Sequence, residues 1–278
     1  LSTEEIYTNT IDMVTDWLAA GLDPEKSPMF RQSQIKEHTE LFLIFSMLIT
    51  KARLERNPTL KEQVRDLNIE NLIYGHLGYP VLQAADILLY KGEVVPVGED
   101  QLPHIEITRE IARKFNTQYA SNDPVFPEPE GKITNFARLQ GLDGQRMSKS
   151  AGNTILLADE PNVVAQKLRK AVTDPQKLRK NDPGRPEVCL VFTYHKKFNP
   201  SDIPEIETNC KSGALGCVDC KMRCATKINE MLAPIIEKRK TFSSNLDKVK
   251  EVLNDGETKA KAVAKQTMDE VHQKMMIG

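Results

Sequence analysis

No apolar run in the sequence approaches the ~20 residues needed to cross a bilayer, and its opening residues do not read as a signal peptide. An excess of charge is missing too. Lys+Arg 38 against Asp+Glu 39 leave a net charge of -1, so any surface for nucleic acid would have to be local. Cysteine is scarce: there are five, and four of them fall within residues 210–224. That crowding suits a metal site in a reducing compartment better than a disulfide framework, and a cytoplasmic location is expected. What is present in quantity is the mixture of a folded globular chain, 40 % hydrophobic and 28 % charged over 278 residues, enough for one large or two ordinary domains. The first residue is Leu1, and LSTEEIYTNTIDMVTDWLAAGLDP reads as a helix with no strand before it. That fits a chain beginning partway into a longer one.

Periodicity places a first helix over 3–20, opened by a Ser2–Glu5 capping box and stopped at Gly21. PMFRQSQ (28–34) reads as a strand, and 36–54 as one long helix apolar over a wide arc, able to meet a partner subunit. Helix 79–90, strand EVVPVG (93–98) and helix 103–115 follow. Strands alternating with helices point to an α/β domain with a mostly parallel sheet. Residues 125–157 read as loop, and beyond 158 the patterns are helical, at 159–171, 221–240 and 257–276. KLRK occurs at 167–170 and 177–180, which reads as two solvated helical faces.

One residue breaks the apolar run YPVLQAADILLY (79–90). At about 100° per residue, Tyr79, Gln83 and Asp86 fall near 0°, 40° and –20°, a polar edge on an apolar cylinder. Such an edge suits the wall of a small-molecule pocket. Strand VPVG then runs into Gly98, Glu99, Asp100 and Gln101, at the carboxyl end of a strand, where ligands of open α/β sheets sit. Further on, RMSKS (Arg146, Met147, Ser148, Lys149, Ser150) follows the turn GLDGQ. Its two cations, two hydroxyls and neighbouring glycines make a flexible anion-binding loop, able to close over a triphosphate and offset charge on a leaving pyrophosphate.

With these motifs together, the sequence resembles the class I aminoacyl-tRNA synthetases, and within them the bacterial tryptophanyl enzymes. RMSKS resembles the KMSKS signature, with Arg146 for the first lysine. YPVLQAADILLY, VPVGEDQLPHIEITREIARKFN, SQIKEHTEL and TMDEVHQKM are similar to the same enzymes. The resemblance implies a Rossmann-like catalytic domain over 1–154 and a helical anticodon-binding domain over 155–278, the last helix able to return to the first domain. It implies activation of tryptophan by ATP, with Mg²⁺, and transfer to tRNA(Trp) by a homodimer. By resemblance Asp86 accepts the indole N–H, with Tyr79, Gln83 and Gln101 lining the tryptophan pocket. An indole N–H only donates, so an acceptor-only carboxylate matches it. Gly98, Glu99, Asp100, Leu139, Arg146, Met147, Ser148, Lys149 and Ser150 would bind ATP, with Lys149, Arg146 and Ser148 the catalytic group. The family's other signature, HIGH or a close variant, does not occur in residues 1–278; GHLG (75–78) is far from the required position. A preceding stretch holding it is therefore expected. The rival readings are a tyrosyl enzyme and a non-catalytic relative that binds tryptophan or RNA.

Cys210-x6-Cys217-x2-Cys220-x3-Cys224, with Cys189 upstream, admits two metal readings. Cys210, Cys217, Cys220 and Cys224 could hold a structural Zn²⁺. Cys189, Cys210, Cys217 and Cys220 could hold a [4Fe–4S] cluster, and this second set resembles the pattern of cluster-bearing tryptophanyl enzymes, with Cys224 left over.

Overall fold

The structure is a computed structural model, and it describes residues 2–66, 68–133, 139–147 and 151–277. The chain divides into two compact units that are interleaved in sequence. Leu1–Ser27 packs with Arg138–Lys250, and Pro28–Ala137 packs with Glu251–Gly278. The division expected at 154/155 is thus drawn differently. The first helix belongs with the helical half, while most of the last helix belongs with the α/β half.

The α/β unit contains helices α2 (Glu37–Ser46), α3 (Lys51–Glu55), α4 (Pro58–Asp66), α5 (Tyr74–Leu88) and α6 (Leu102–Tyr119), and strands β1 (Val94–Pro96) and β2 (Glu130–Lys132). β1 and β2 are parallel, with Val95 opposite Gly131, and α6 makes the crossover between them, the unit that alternation in the sequence calls for. The core is built on Leu41, Phe45, Leu88, Ile107, Ile111 and Phe115, all fully buried. Phe126 sits edge-on to Phe45 and Phe115, with ring centroids 5.3 and 4.9 Å apart. The C-terminal part of α11 (Leu246–Met275) closes this core with Ala264, Met268 and Val271. Lys91–Glu270 at 2.6 Å and Lys274–Asp123 at 2.8 Å pin its outer face.

Three expectations differ here. The stretch 125–157, read as loop, contains β2, whose three residues gain strand character only by pairing with β1. Residues 28–34 form no strand; Gln32–Gln34 is a single 3-10 turn. A helix covers this segment instead. Gly256 of α11 lies against the Met29 backbone, and Arg31 Nε reaches Glu257 at 2.5 Å. The expected helix 36–54 is cut in two. Ser46 Oγ donates to the Phe42 carbonyl at 2.7 Å, and Thr50 caps a new helix by accepting from Arg53 N, hydroxyl groups competing with the helical ladder.

In the other unit, α1 (Thr3–Ala19) opens on a capping box, with Ser2 N donating to Glu5 at 2.6 Å and Ser2 Oγ accepting from Glu5 N. It ends where Gly21 takes φ +100. It packs on α10 (Cys217–Ser243), tied by Arg239 Nε to Asp16 at 2.5 Å. α7 (Pro161–Lys170), α8 (Leu190–Phe198) and α9 (Ile203–Lys211) complete it. Its core joins Val164, Leu168, Tyr194, Cys224, Ile228 and Leu232.

Candidate active site

α5 carries the polar edge expected of it, and Asp86 and Tyr79 are each held by residues from other segments. The Asp86 carboxylate accepts from Gln32 Nε2 at 2.6 Å, and His38 Nε2 lies 3.7 Å from the same oxygen. His38 is buried and donates from Nδ1 to the Ile35 carbonyl at 3.0 Å, which fixes its ring. Phe30 and Tyr90 flank that ring, with centroids 6.1 and 5.5 Å away. Burial raises the Asp86 carboxyl above the usual aspartate range, against the pull of Gln32 and His38. Tyr90 is pushed up by burial and then by Asp86. Its hydroxyl is buried, with no partner among the described residues. Gln83 is half-buried on the same helix.

Tyr79, two turns before Asp86, meets a different set. Its hydroxyl is 2.7 Å from His104 Nε2, and the Gln63 side chain is near enough to pull its pKa down. His104 Nδ1 is 2.9 Å from Asn57 Nδ2. Burial is the main cause that raises the Tyr79 pKa and lowers that of His104. Gly98 begins the 3-10 turn Glu99–Gln101 after β1, and Gln101 Nε2 donates to Asp100 at 3.0 Å. Thr59 Oγ1 donates to the Asp100 carbonyl at 2.7 Å. Gln32, His38, Asn57, Tyr90 and His104 were not singled out in the sequence. The available signal was that His38 and His104 stand inside SQIKEHTEL and VPVGEDQLPHIEITREIARKFN, segments similar to the synthetases.

Ser148, Lys149 and Ser150 lie outside the described residues; the base of their loop is described. Gln140 and Arg146 form an antiparallel bridge, and Tyr194 Oη donates to the Gln140 carbonyl at 2.8 Å. Asn153, buried, closes the loop from its far side. Its amide donates to Asp143 at 2.9 Å and to the Arg146 carbonyl at 3.0 Å, and its own carbonyl accepts from Leu142 N at 2.9 Å. The Gln145 N–H and then the Asn153 amide hold the Asp143 carboxyl below its usual range. Leu139 packs, half-buried, on the core of this unit, and Met147 is half-buried.

All five cysteines are free thiols. Cys189 caps α8 and Cys217 starts α10. Burial raises the Cys189 thiol pKa, against the pull of the nearby Phe192 and Val191 N–H groups. Burial pushes the Cys220 thiol up to about 12, and Cys189, Cys210, Cys224 and Cys217 push it further, so the sulfurs act on one another. His195 is spoken for: Nε2 lies 3.1 Å from the Cys220 carbonyl and Nδ1 3.3 Å from Asn199 Nδ2. Among the described residues, no three His, Cys, Asp or Glu side chains converge closely enough to hold a metal ion.

No described helix is long and apolar enough to cross a membrane. The family model "tRNA synthetases class I (W and Y)" matches residues 1–233. The chain is 48 % identical to the tryptophan–tRNA ligase of Thermotoga maritima, covering 96 % of this chain and 81 % of that one. It is 40 % identical to the Aquifex aeolicus tryptophan–tRNA ligase, covering 99 % and 87 %. The crystal structure of Campylobacter jejuni tryptophanyl-tRNA synthetase, complexed with ADP and tryptophan, superposes with a TM-score of 0.83 at 32 % identity, over 99 % of this chain and 84 % of that one. This parallel-stranded α/β unit and its helical companion therefore have the class I synthetase fold, and the chain belongs to the class I tRNA synthetases for tryptophan and tyrosine, within them to the tryptophan–tRNA ligases.

Proposed function

We propose that this tryptophan–tRNA ligase recognises its amino acid through Asp86 and Tyr79 and handles ATP through the turn at Gly98–Gln101 and the RMSKS loop. One observation carries the reading: a half-buried carboxylate on an otherwise apolar helix, oriented by Gln32 and His38. Gln32 supplies one hydrogen bond and a carboxylate accepts about four, so it remains able to take an indole N–H. A phenyl side chain would leave that carboxylate unpaired, and pockets of this kind reject such analogues by about 10⁴-fold or more. Gln83 and Gln101 line the same amino-acid site.

The tryptophan carboxylate attacks the α-phosphorus of ATP, forming tryptophanyl-adenylate and releasing pyrophosphate. The terminal ribose hydroxyl of tRNA(Trp) then displaces AMP. Gly98, Glu99, Asp100, Leu139 and Met147 hold the nucleotide. Arg146, Lys149, Ser148 and Ser150 offset the charge that builds on the pyrophosphate, and Mg²⁺ accompanies ATP. Residues 1–154 supply the catalytic domain and 155–278 the tRNA-reading part, the last helix returning to the first domain. The partner is a second copy of the chain, meeting at α2, where Leu43 and Met47 are exposed.

Cys189, Cys210, Cys217 and Cys220 are the ligand set of a structural [4Fe–4S] cluster. What supports the set is the spacing Cys210-x6-Cys217-x2-Cys220 with Cys189 upstream, the sulfurs lying near enough to influence the Cys220 thiol. A brown anaerobic preparation containing iron supports the cluster; a colourless one containing zinc refutes it.

The functional test is ATP–pyrophosphate exchange by the full-length gene product, with tryptophan or tyrosine. Exchange with tryptophan alone is expected. Exchange with tyrosine overturns the specificity, and exchange with neither favours a non-catalytic relative. Asp86→Asn should lower kcat/KM for tryptophan roughly tenfold; unchanged kinetics would remove Asp86 from recognition.

A further inference from the structure

Asn57 and His104 are fully buried polar residues that the reading above leaves without a task. Their hydrogen positions follow from a backbone group that has no choice. Thr59 N–H can only donate, and it lies 3.0 Å from Asn57 Oδ1. The amide oxygen is therefore on that side, and the amide nitrogen faces His104 Nδ1 at 2.9 Å. An amide nitrogen only donates, so Nδ1 must accept. Burial lowers the His104 pKa, which keeps the ring neutral. A neutral ring with a bare Nδ1 carries its hydrogen on Nε2, and that atom is 2.7 Å from Tyr79 Oη. The Tyr79 oxygen is thus the acceptor, and its own hydrogen is turned away from His104. The same chain is tied to the polar turn, because Thr59 Oγ1 donates to the Asp100 carbonyl at 2.7 Å.

We propose that Asn57 and His104 are positioning residues for amino-acid binding, holding the Tyr79 hydroxyl in one hydrogen-bond polarity. Nε2–H fills one lone pair of that oxygen. The hydroxyl hydrogen and the second lone pair remain for the substrate and for Gln63, which lies near the same hydroxyl. A free phenol would have to be oriented at each binding event; this one is oriented beforehand. The proposal rests on the reading that Tyr79 lines the amino-acid pocket.

The test uses the full-length enzyme and two variants that split the imidazole. His104→Asn keeps an acceptor for Asn57 but has no donor at the Nε2 position, whereas His104→Gln has an amide N–H with the reach of Nε2. In pyrophosphate exchange, His104→Asn is expected to raise KM for tryptophan about fivefold, with kcat and KM for ATP within about twofold. His104→Gln should return KM to within about twofold of the parent. In a Tyr79→Phe background the two variants should no longer differ. Equal effects of the two substitutions, or a difference that persists without the Tyr79 hydroxyl, would overturn the proposal. Should the variants fail to fold, the long-range ¹H–¹⁵N spectrum of the histidine-labelled parent decides: a hydrogen on His104 Nε2 supports it and a hydrogen on Nδ1 sinks it. Absence of tryptophan-dependent exchange in the parent enzyme would strike the functional reading instead and leave that spectrum to be judged by itself.

Discussion

Replacing Gly256 by alanine sets two effects against each other. Helix propensity alone favours the change, since alanine inside a helix is better than glycine by about 1 kcal/mol. Packing opposes it. A Cβ at 256 would stand 2.7 Å from the carbonyl carbon of Met29 and 3.0 Å from its nitrogen, and nearer still to its oxygen. Ordinary carbon–oxygen contact begins at about 3.3 Å, and the obstructing atoms are backbone, which cannot turn aside as a side chain does. Overpacking costs about 1–3 kcal/mol. The upper end applies here, so the net loss is about 2 kcal/mol after the propensity gain. Thermal unfolding of the full-length enzyme should show the midpoint lowered by about 4–8 °C. The displaced segment also carries Arg31, paired with Glu257, and Gln32, bonded to Asp86, so KM for tryptophan should rise as well. A midpoint unchanged or raised would refute the close approach of α11 to Met29.

At Gly141 a Cβ would come within 2.5 Å of Asn153 Cγ and displace the amide that holds Asp143 and Arg146. Gly141→Ala should lower kcat in pyrophosphate exchange about tenfold or more with KM for tryptophan unchanged; parent-like kcat would show that the loop base does not matter. Protonating Asp86 removes an acceptor, and burial sets its pKa above the ordinary value. KM for tryptophan should therefore rise, as pH falls, at a higher pH than the roughly 3.9 of a free aspartate. Asp86→Asn should lack that limb, and a limb at or below the free value would refute the assignment. Asp174 accepts from Arg185 at 2.7 Å and from the Gln176 and Arg185 N–H groups at 2.9 Å, which holds its carboxyl well below the usual range. A depressed folded pKa stabilises above the unfolded value and is lost as pH falls through the folded one. Asp174→Asn should thus destabilise at pH 7 by urea unfolding, the gap to the parent closing in strong acid; a gap constant with pH refutes the pairing.

Local chemistry was the legible part of the fold. The Ser2–Glu5 box and the stop at Gly21 lie within single turns, and both are present. Strand β1 and helix α6 follow from alternation and length. Strand β2 (Glu130–Lys132) is missed inside the 125–157 stretch read as loop, because three residues carry no periodicity. What failed depends on residues far apart in sequence. PMFRQSQ looks like a strand until Gly256 brings a helix onto Met29. Ser46 and Thr50 were visible inside the 36–54 pattern, but the apolar arc around them outweighed two hydroxyls whose effect is local. Helices α4, α8 and α9 are short, below the window of about 11–18 residues over which a helical period declares itself. The grouping of Leu1–Ser27 with Arg138–Lys250 could not be read from a linear division of the chain.

The site divides along the same line. Asp86 stood out because one carboxylate in an apolar helix is a local anomaly, and Tyr79 and Gln83 followed from helical geometry. Their partners did not, because a hydrogen bond between Gln32 and Asp86 spans 54 positions and one between Asn57 and His104 spans 47. α5 presents polar atoms, and other segments decide how those atoms behave. Gln32 and His38 reach Asp86 from the segment that α11 covers, so the specificity of the carboxylate depends on packing by the last helix. Asn57 and His104 reach Tyr79 from the α3–α4 junction and from α6, beside the turn where nucleotide contacts are placed. A substitution in α11 should therefore disturb tryptophan selection through Asp86 without altering the Tyr79 hydroxyl, while one at Asn57 should do the reverse. The two ends of the proposed amino-acid site are held by separate parts of one core, and their defects should add.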